Sequence, residues 1–342
     1  MRTPKVSVVM PVYNGELYMC AAIESILKQT FTDFELIIIN DGSSDSSSKI
    51  IESFSDPRIV YINNSENTGL AKVRNKGLDV VRGEYIAWLD CDDISLPTRL
   101  EKQVNLLDVN LDIGICGTWV KTIDGESENI WRYPTDSGFI RARMLFDDPL
   151  ATSSVMLRAA CISVQRLRFN LDYPPAEDYE LWERISREWD VTNIPEVLTY
   201  YRIHPMQTSV VKEIQQKASV WEIQKRMLAQ LGIEPTKEEK LLVLDIGVGW
   251  RFIPEIERVL SSKKWLEKLE AANCKRNLFS SESFKYVLAE RWFLVTAAAA
   301  HHGLKVWKIY YQSELSRWSN RSYWRLAKLF VLCLKRRILC RD

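Results

Sequence analysis

Through the first hundred residues, short uninterrupted apolar runs alternate with stretches of helical length. VSVVMPVY, FELIIIN, RIVYIN and EYIAWL have the length and apolar continuity of strands buried on both faces. Between them, GELYMCAAIESILKQT places Cys20, Ile23 and Leu27 on one helical face, and DGSSDSSSKIIESF is a turn with several candidate N-caps leading into a helix. The spacing predicts a further helix from about Leu70 to Val81. Strands buried on both faces and separated by helices imply a parallel sheet with helices covering it. Ligands on open sheets of this kind bind beyond the carboxyl ends of the strands. Asn14, Asp41, Asn63 and Asp90 fall at or just past four such ends, so they are expected to line one edge.

Beyond Ile94 the pattern changes. SLPTRLEKQVNLLDVN reads as a helix with Pro97 in its first turn, and IGICGTWV as another strand. From about Val211 the chain reads as helices, two of them stopping at Gly232 and Gly303. The expected organisation is an α/β domain over residues 1–210 and a helical region over 211–342. With 342 residues, 46% hydrophobic and 27% charged, the chain can bury a real core, which excludes gross disorder.

The net charge of +1 hides an asymmetry. Lys305 to Asp342 carries ten Lys and Arg against Glu314 and Asp342, a balance of +8, which leaves −7 on the rest. Neither part points to nucleic acid as a partner. The tail SNRSYWRLAKLFVLCLKRRILCRD mixes Trp324, Leu326, Leu329, Phe330 and Leu334 with clustered Lys and Arg. Such a segment either lies in an anionic membrane interface or packs on its own domain with a basic outer face. The seven cysteines never fall at C-x-x-C spacing, which suits reduced thiols. The chain opens almost directly on KVSVVMPVYN with no charged-then-apolar leader, and no charge-free apolar run approaches the roughly 18 residues of a membrane span. A cytoplasmic protein is expected, with peripheral attachment to the inner face of the membrane through the tail.

Four stretches carry chemistry. In WLDCDD, Asp90 and Asp92 share one side of an extended chain, and two converging carboxylates suit Mg²⁺ or Mn²⁺; the bland alternative is a solvated acidic turn. Asp41 in IIINDGSSD follows a strand; Gly42 and Asp45 explain a turn and a cap, but not a carboxylate able to accept an N–H from a nucleobase. In NTGLAKVRNKG, Lys72 and Arg74 ride on a helix with a polar, glycine-containing start, which is either a phosphate site or a solvated helix. In PPAEDYELWERI, Glu177 and Asp178 open a helix, where carboxylates also serve simply to complement the dipole.

Together, VSVVMPVYNGELYMCAAIESILKQTFTDFELIIINDGSSD, NTGLAKVRNKGL, GEYIAWLDCDD and AEDYELWERI resemble, in order and spacing, the inverting family 2 glycosyltransferases of the GT-A fold, of the bacterial surface-polysaccharide type. The resemblance covers about residues 4–210. It implies a Rossmann-like, mostly parallel sheet with helices on both faces, followed here by the helical extension. It further implies that Pro11 and Tyr13 border the uracil or ribose of a UDP-sugar and that Asp41 binds the base. Asn67, Arg74 and Lys72 would lie along the ribose and diphosphate. Asp90 would contact ribose or metal, Cys91 would follow through its backbone, and Asp92 would ligate the metal. His204, 26 residues after Asp178, stands where some members place a third metal ligand; a structural histidine is the alternative.

The resemblance also carries the catalytic base onto Asp178, the second carboxylate of the E-D pair; one positioned carboxylate suits an inverting displacement, in which the acceptor hydroxyl loses its proton as it attacks from the face opposite the leaving diphosphate. The metal, Mn²⁺ or Mg²⁺, neutralises charge on that leaving group. The implied acceptor is a saccharide, of the lipid-linked kind used in O-antigen, capsule or exopolysaccharide assembly. Two departures stand out. Thr152 occupies the place where many relatives carry His before SSV, and ELSRW at Glu314–Trp318 is the nearest match to the Q-x-x-R-W of processive synthases, so transfer of one or a few sugars is expected. His301 and His302 lie in the helical extension, and no independent histidine-rich metal site is expected there. Two other classes remain. A metal-dependent nucleotidyltransferase is disfavoured because PVYNGELY has one glycine and no Lys or Arg, and a non-catalytic nucleotide-sugar-binding protein because Asp90, Asp92 and Asp178 are all present.

Overall fold

A computed structural model describes residues 3–247, 253–318 and 322–339. Two compact units divide the chain: Met1–Ser137 with Pro149–Val220, and Gly138–Asp148 with Trp221–Asp342. The division falls at Val220, about ten residues from the expected boundary near 210, and the helical unit also takes in Gly138–Asp148.

The first unit holds a nine-stranded sheet: β1 Val6–Val12, β2 Phe34–Asp41, β3 Ile59–Asn64, β4 Tyr85–Trp88, β5 Ile94–Ser95, β6 Ile113–Ile123, β7 Ile130–Trp131, β8 Met156–Arg158 and β9 Asp190–Arg202. Their order is β3-β2-β1-β4-β8-β6-β9-β5, with β7 beside β6. β1 pairs in parallel with β2 and β4, and β2 with β3. β8 is antiparallel to both neighbours, which returns β6 to the direction of β4, and β9 runs parallel to β6. β3, β2, β1, β4, β6 and β9 thus point one way and bring their carboxyl ends to one edge, as the α/β pattern requires.

Helices cover both faces. The first unit's helices are α1 Met19–Leu27, α2 Ser47–Glu52, α3 Leu70–Val80, α4 Arg99–Val109, α5 Ser137–Arg143, α6 Ala159–Ser163, α7 Glu177–Ile185 and α8 Thr208–Val211, although most of α5 belongs to the second unit. Val8, Met10 and Val12 of β1 pack with Met19, Ile23, Ile26, Leu100 and Val104 of α1 and α4. Val9, on the opposite face of the pleat, meets α3, where a Cβ on Gly77 would stand 2.6 Å from the Val9 Cγ1. Two local expectations need correction. The buried stripe of α1 is Met19, Ala22, Ile23 and Ile26, while Cys20 is exposed: the i, i+3, i+4, i+7 rows begin one residue earlier than expected. Pro97 lies before α4, whose N-cap residue is Thr98.

The second unit is helical: the larger part of α9 Glu213–Gln230, then α10 Lys237–Gly247, α11 Ile256–Arg276, α12 Ser281–Ala298, α13 Leu304–Gln312 and α14 Ser322–Leu339. Trp265, Leu266, Phe284, Trp292 and Tyr310 are fully or nearly fully buried in it. Asp147 accepts from Arg143 at 2.8 Å and from the buried Arg291 at 2.7 Å. α14 buries Arg325, Leu329 and Cys333, one turn apart, and leaves Tyr323, Trp324, Phe330, Val331 and Leu334 exposed. Among the described residues no helix is long and apolar enough to cross a membrane.

Candidate active site

At the carboxyl ends of β1 and β2 the turns are laced together. Asn14, in the left-handed region at φ 51°, accepts from the Ser44 N–H at 2.9 Å, and its own N–H donates to the Ser43 Oγ. The Glu16 N–H donates to Asp45 and the Ser46 N–H to Glu16, a reciprocal pair. Asp41, 3% exposed, closes the turn ahead of α3: Oδ1 accepts from the Asn64 amide and the Thr68 hydroxyl, both at 2.8 Å, and Oδ2 from the Thr68 and Gly69 N–H groups, both at 2.9 Å. A carboxylate has about four acceptor sites, and these four donors fill them. Gly42 makes the close approach feasible, since at φ 67° a Cβ there would stand 2.5 Å from the Glu66 carbonyl carbon. In this arrangement the Asp41 carboxylate, expected to meet a base, holds the turn that carries Asn67.

The end of β4 is different. Asp90, Asp92, Asp93, Glu177 and Asp178 gather around few cations. Arg74, 3% exposed on α3, donates Nη1 to Glu177 at 3.0 Å and Nη2 to Asp90 at 3.3 Å, and Nη1 lies 3.8 Å from Asp178. Burial opposes the charge on Arg74, but Asp90, Glu177 and Asp178 outweigh it and raise its pKa. Burial pushes Asp90 and Glu177 upward against the pull of Arg74. It pushes Asp93 well above the carboxylate range, with Asp92 and Asp90 adding to the effect. Arg74, expected along the diphosphate, meets three carboxylates here.

Asp92 Oδ2 lies 3.0 Å from His204 Nε2, and the Arg202 Nε–H donates to the Asp92 carbonyl at 2.8 Å. Asp90, Asp92 and His204 do not offer one ligand atom each that all lie within 4.8 Å of one another. Of the expected trio, Asp92 and His204 meet directly, and Asp90 meets Arg74. A carboxylate and an imidazole at this spacing fit a hard dication that takes its remaining oxygens from diphosphate and water. Asp93 faces away, buried, and accepts from the Arg202 N–H at 2.8 Å. The Cys91 thiol packs against Gly15 and takes a backbone N–H from Tyr13; burial first, then its acidic neighbours, raise its pKa far above normal, so it is inert.

Asp178, in the first turn of α7, accepts from the Thr152 hydroxyl at 2.5 Å on Oδ2 and from the Tyr179 N–H at 2.8 Å on Oδ1. Thr152 sits in a turn after residue 151, whose next residue, Ser153, accepts the Asp90 N–H at 3.1 Å. Of the other expected residues, Pro11 is buried within β1 opposite Ile39, Tyr13 is half exposed at its end, and Asn67 and Lys72 are exposed. Ser153 and Arg202 were not foreseen; Glu177 was signalled by the E-D dipeptide, and Thr152 by standing where many relatives carry His, though neither was assigned a contact.

The model of glycosyl transferase family 2 matches residues 7–160. An uncharacterized glycosyltransferase of Haemophilus influenzae is 35% identical over 259 residues, covering 71% of this chain and 80% of its own length. Another from Methanocaldococcus jannaschii is 37% identical over 210 residues, covering 59% and 72%. Among solved structures, S. aureus TarS 1-349 in complex with UDP aligns with a TM-score of 0.55 at 18% identity, over 87% of this chain and 91% of that one. Mannosyltransferase PcManGT from Pyrobaculum calidifontis, in complex with GDP-Man and Mn²⁺, aligns with a TM-score of 0.53 at 13% identity, over 100% and 89%. At these identities the likeness is one of fold: a GT-A-like sheet followed by helices.

Proposed function

The chain belongs to glycosyl transferase family 2, and from that premise we propose that it moves a single hexose or N-acetylhexosamine from a UDP-sugar to a saccharide acceptor, with inversion and with a divalent metal. The observation that carries this reading is the anchored carboxylate of Asp178. Thr152 fixes one oxygen, the start of α7 fixes the other, and Arg74 ties it to Asp90. A base held in one orientation beside a nucleotide edge is what proton removal from an acceptor hydroxyl needs.

Asp92 and His204 are the residues that would hold Mn²⁺ or Mg²⁺. When bound, that ion supplies positive charge to the departing diphosphate. Tyr13 and Asn67 offer exposed contacts for nucleoside, and Lys72 an exposed cation for phosphate. The UDP preference draws support from TarS, bound to UDP and to UDP-GlcNAc, while PcManGT, bound to GDP-Man, points to the alternative. Thermal-shift titration with UDP-, GDP- and dTDP-sugars, with and without Mn²⁺, checks it: the UDP-sugar with Mn²⁺ raises Tm most, and a larger shift with GDP- or dTDP-sugar overturns the assignment. Asp178→Asn retains the shift and loses about 10²–10⁴-fold in kcat; near-normal turnover removes Asp178 as base.

The proposal includes a lipid-linked acceptor, in surface-polysaccharide assembly, met at a membrane surface. The exposed Trp324, Phe330 and Leu334 beside Lys328 and Lys335 on α14 support it, since their apolar and basic groups share a solvent face. Co-sedimentation with anionic vesicles should fall on Trp324→Ser combined with Phe330→Ser; unchanged binding rejects this face.

A further inference from the structure

The helical unit holds a second cluster of ligand atoms. Glu255 is the N-cap residue of α11, and His301 and His302 form the 3-10 turn that follows α12 and stops at Gly303. α11 and α12 are joined by a short turn and pack on one another, so the start of the first and the end of the second come together. We propose that Glu255, His301 and His302 form a site for a transition-metal dication, with Zn²⁺ the ion that the donors suit.

Three observations lead there. One ligand atom from each residue lies within 4.8 Å of the other two, the one such trio of His, Cys, Asp or Glu among the described residues. His302 Nε2 is 3.4 Å from a Glu255 carboxylate oxygen. A tetrahedral ion with bonds of roughly 2.0–2.2 Å keeps its ligands about 3.3–3.6 Å apart, so this pair already has the required spacing. The Glu255 side chain is 76% exposed. Lastly, the imidazoles lie side by side, 3.9 Å between centroids, and His301 Nδ1 is buried with no hydrogen-bond partner among the described residues. A buried nitrogen left unpaired is a cost that coordination through that atom would remove.

Two imidazoles and one carboxylate favour Zn²⁺ over Mg²⁺, whereas the carboxylate-rich cluster around Asp92 has the opposite leaning. The ion would displace a proton from His302 Nε2, which lies 3.2 Å from the Pro254 carbonyl, and it would leave a fourth position for water. Its effect would be a clip between two segments far apart in sequence, closing the α11–α12 hairpin at its open end.

The test is Zn²⁺ titration of the full chain by calorimetry, alongside Asp92→Asn, Glu255→Gln and His301→Gln. Asp92→Asn should retain one Zn²⁺ equivalent, while Glu255→Gln and His301→Gln weaken it at least tenfold and abolish the Zn²⁺-induced rise in Tm. Co²⁺ in the same site should give the intense visible bands of four-coordinate cobalt in Asp92→Asn and lose them in Glu255→Gln. Glu255 is exposed, so its substitution leaves folding intact. Equal Zn²⁺ affinity in the parent and Glu255→Gln overturns the proposal, as does loss of the equivalent in Asp92→Asn alone.

Discussion

Two acidic regions share the ligand edge of this sheet, and they are solved in opposite ways. At the end of β2 one carboxylate meets four donors, and nothing is left over. At the end of β4 five carboxylates gather, three around Arg74, Asp92 against His204 and Asp93 on the Arg202 N–H, and burial raises the pKa of three of them. The first is a satisfied structural joint. The second is short of positive charge, which is the condition a dication and a proton-accepting step both exploit.

Several substitutions break or sharpen this contrast. Arg74→Met leaves Glu177 buried without its cation and should cost about 3–5 kcal/mol in denaturant unfolding. Adding Glu177→Gln should recover part of that loss; no recovery means that Arg74 acts through packing on Phe169 instead. Asp41→Asn should cost about 1.5–3 kcal/mol, the range for hydrogen bonds to a charged group, and leave Mn²⁺ affinity unchanged. A large loss of nucleotide binding with little loss of stability would reverse the contrast and give Asp41 a direct ligand contact.

Thr152→Val frees one oxygen of Asp178, with an expected loss of roughly tenfold in kcat and little change in donor KM, about 1.4 kcal/mol at the transition state. The smallest effect lies away from the edge, at Asp147. Burial raises its pKa, but Arg291 and Arg143 outweigh that and hold it below the usual carboxylate value. Its stabilisation is present above the unfolded-state pKa and is lost as pH falls through the folded one. The Tm difference between parent and Asp147→Asn should therefore be fullest near neutrality and close as pH drops through the carboxylate range; a gap that persists at the acid end contradicts it.

The contrast was half legible in the sequence. Asp41, Asp90 and Asp92 announce themselves because each follows a strand, and strand ends are a local property of apolar patterning. Which carboxylate is saturated is not local. Thr68 and Asn64 reach Asp41 through a turn whose path depends on Gly42, and Arg74 meets Glu177 across 103 positions. Basic residues near a helix start suggested phosphate, while tertiary packing turned Arg74 inward and left Lys72 outside. His204 rested on resemblance alone, for nothing in YYRIHPMQTS signals that its ring meets Asp92. β9 escaped notice because DVTNIPEVLTYYR lacks clean alternation and carries a proline, which fits the shifts in its pairing with β6. Glu255 and the two histidines show the same limit, being neighbours through a hairpin rather than through the chain.

The salt bridge from α3 to α7 also sets a timetable. Arg74 is made 103 residues before Glu177, about 5–20 seconds at ordinary rates of synthesis. During that interval the strands β1 to β4 can pair, but the guanidinium destined for burial has no anion from α7 to receive it. Until α7 emerges, Arg74 has of its carboxylate partners only Asp90, 16 residues on, and the α3 side that meets Glu177 lacks its partner. A chain stopped between these two residues is therefore expected to be protease-sensitive at α3, and one extended past Ile185 to be protected.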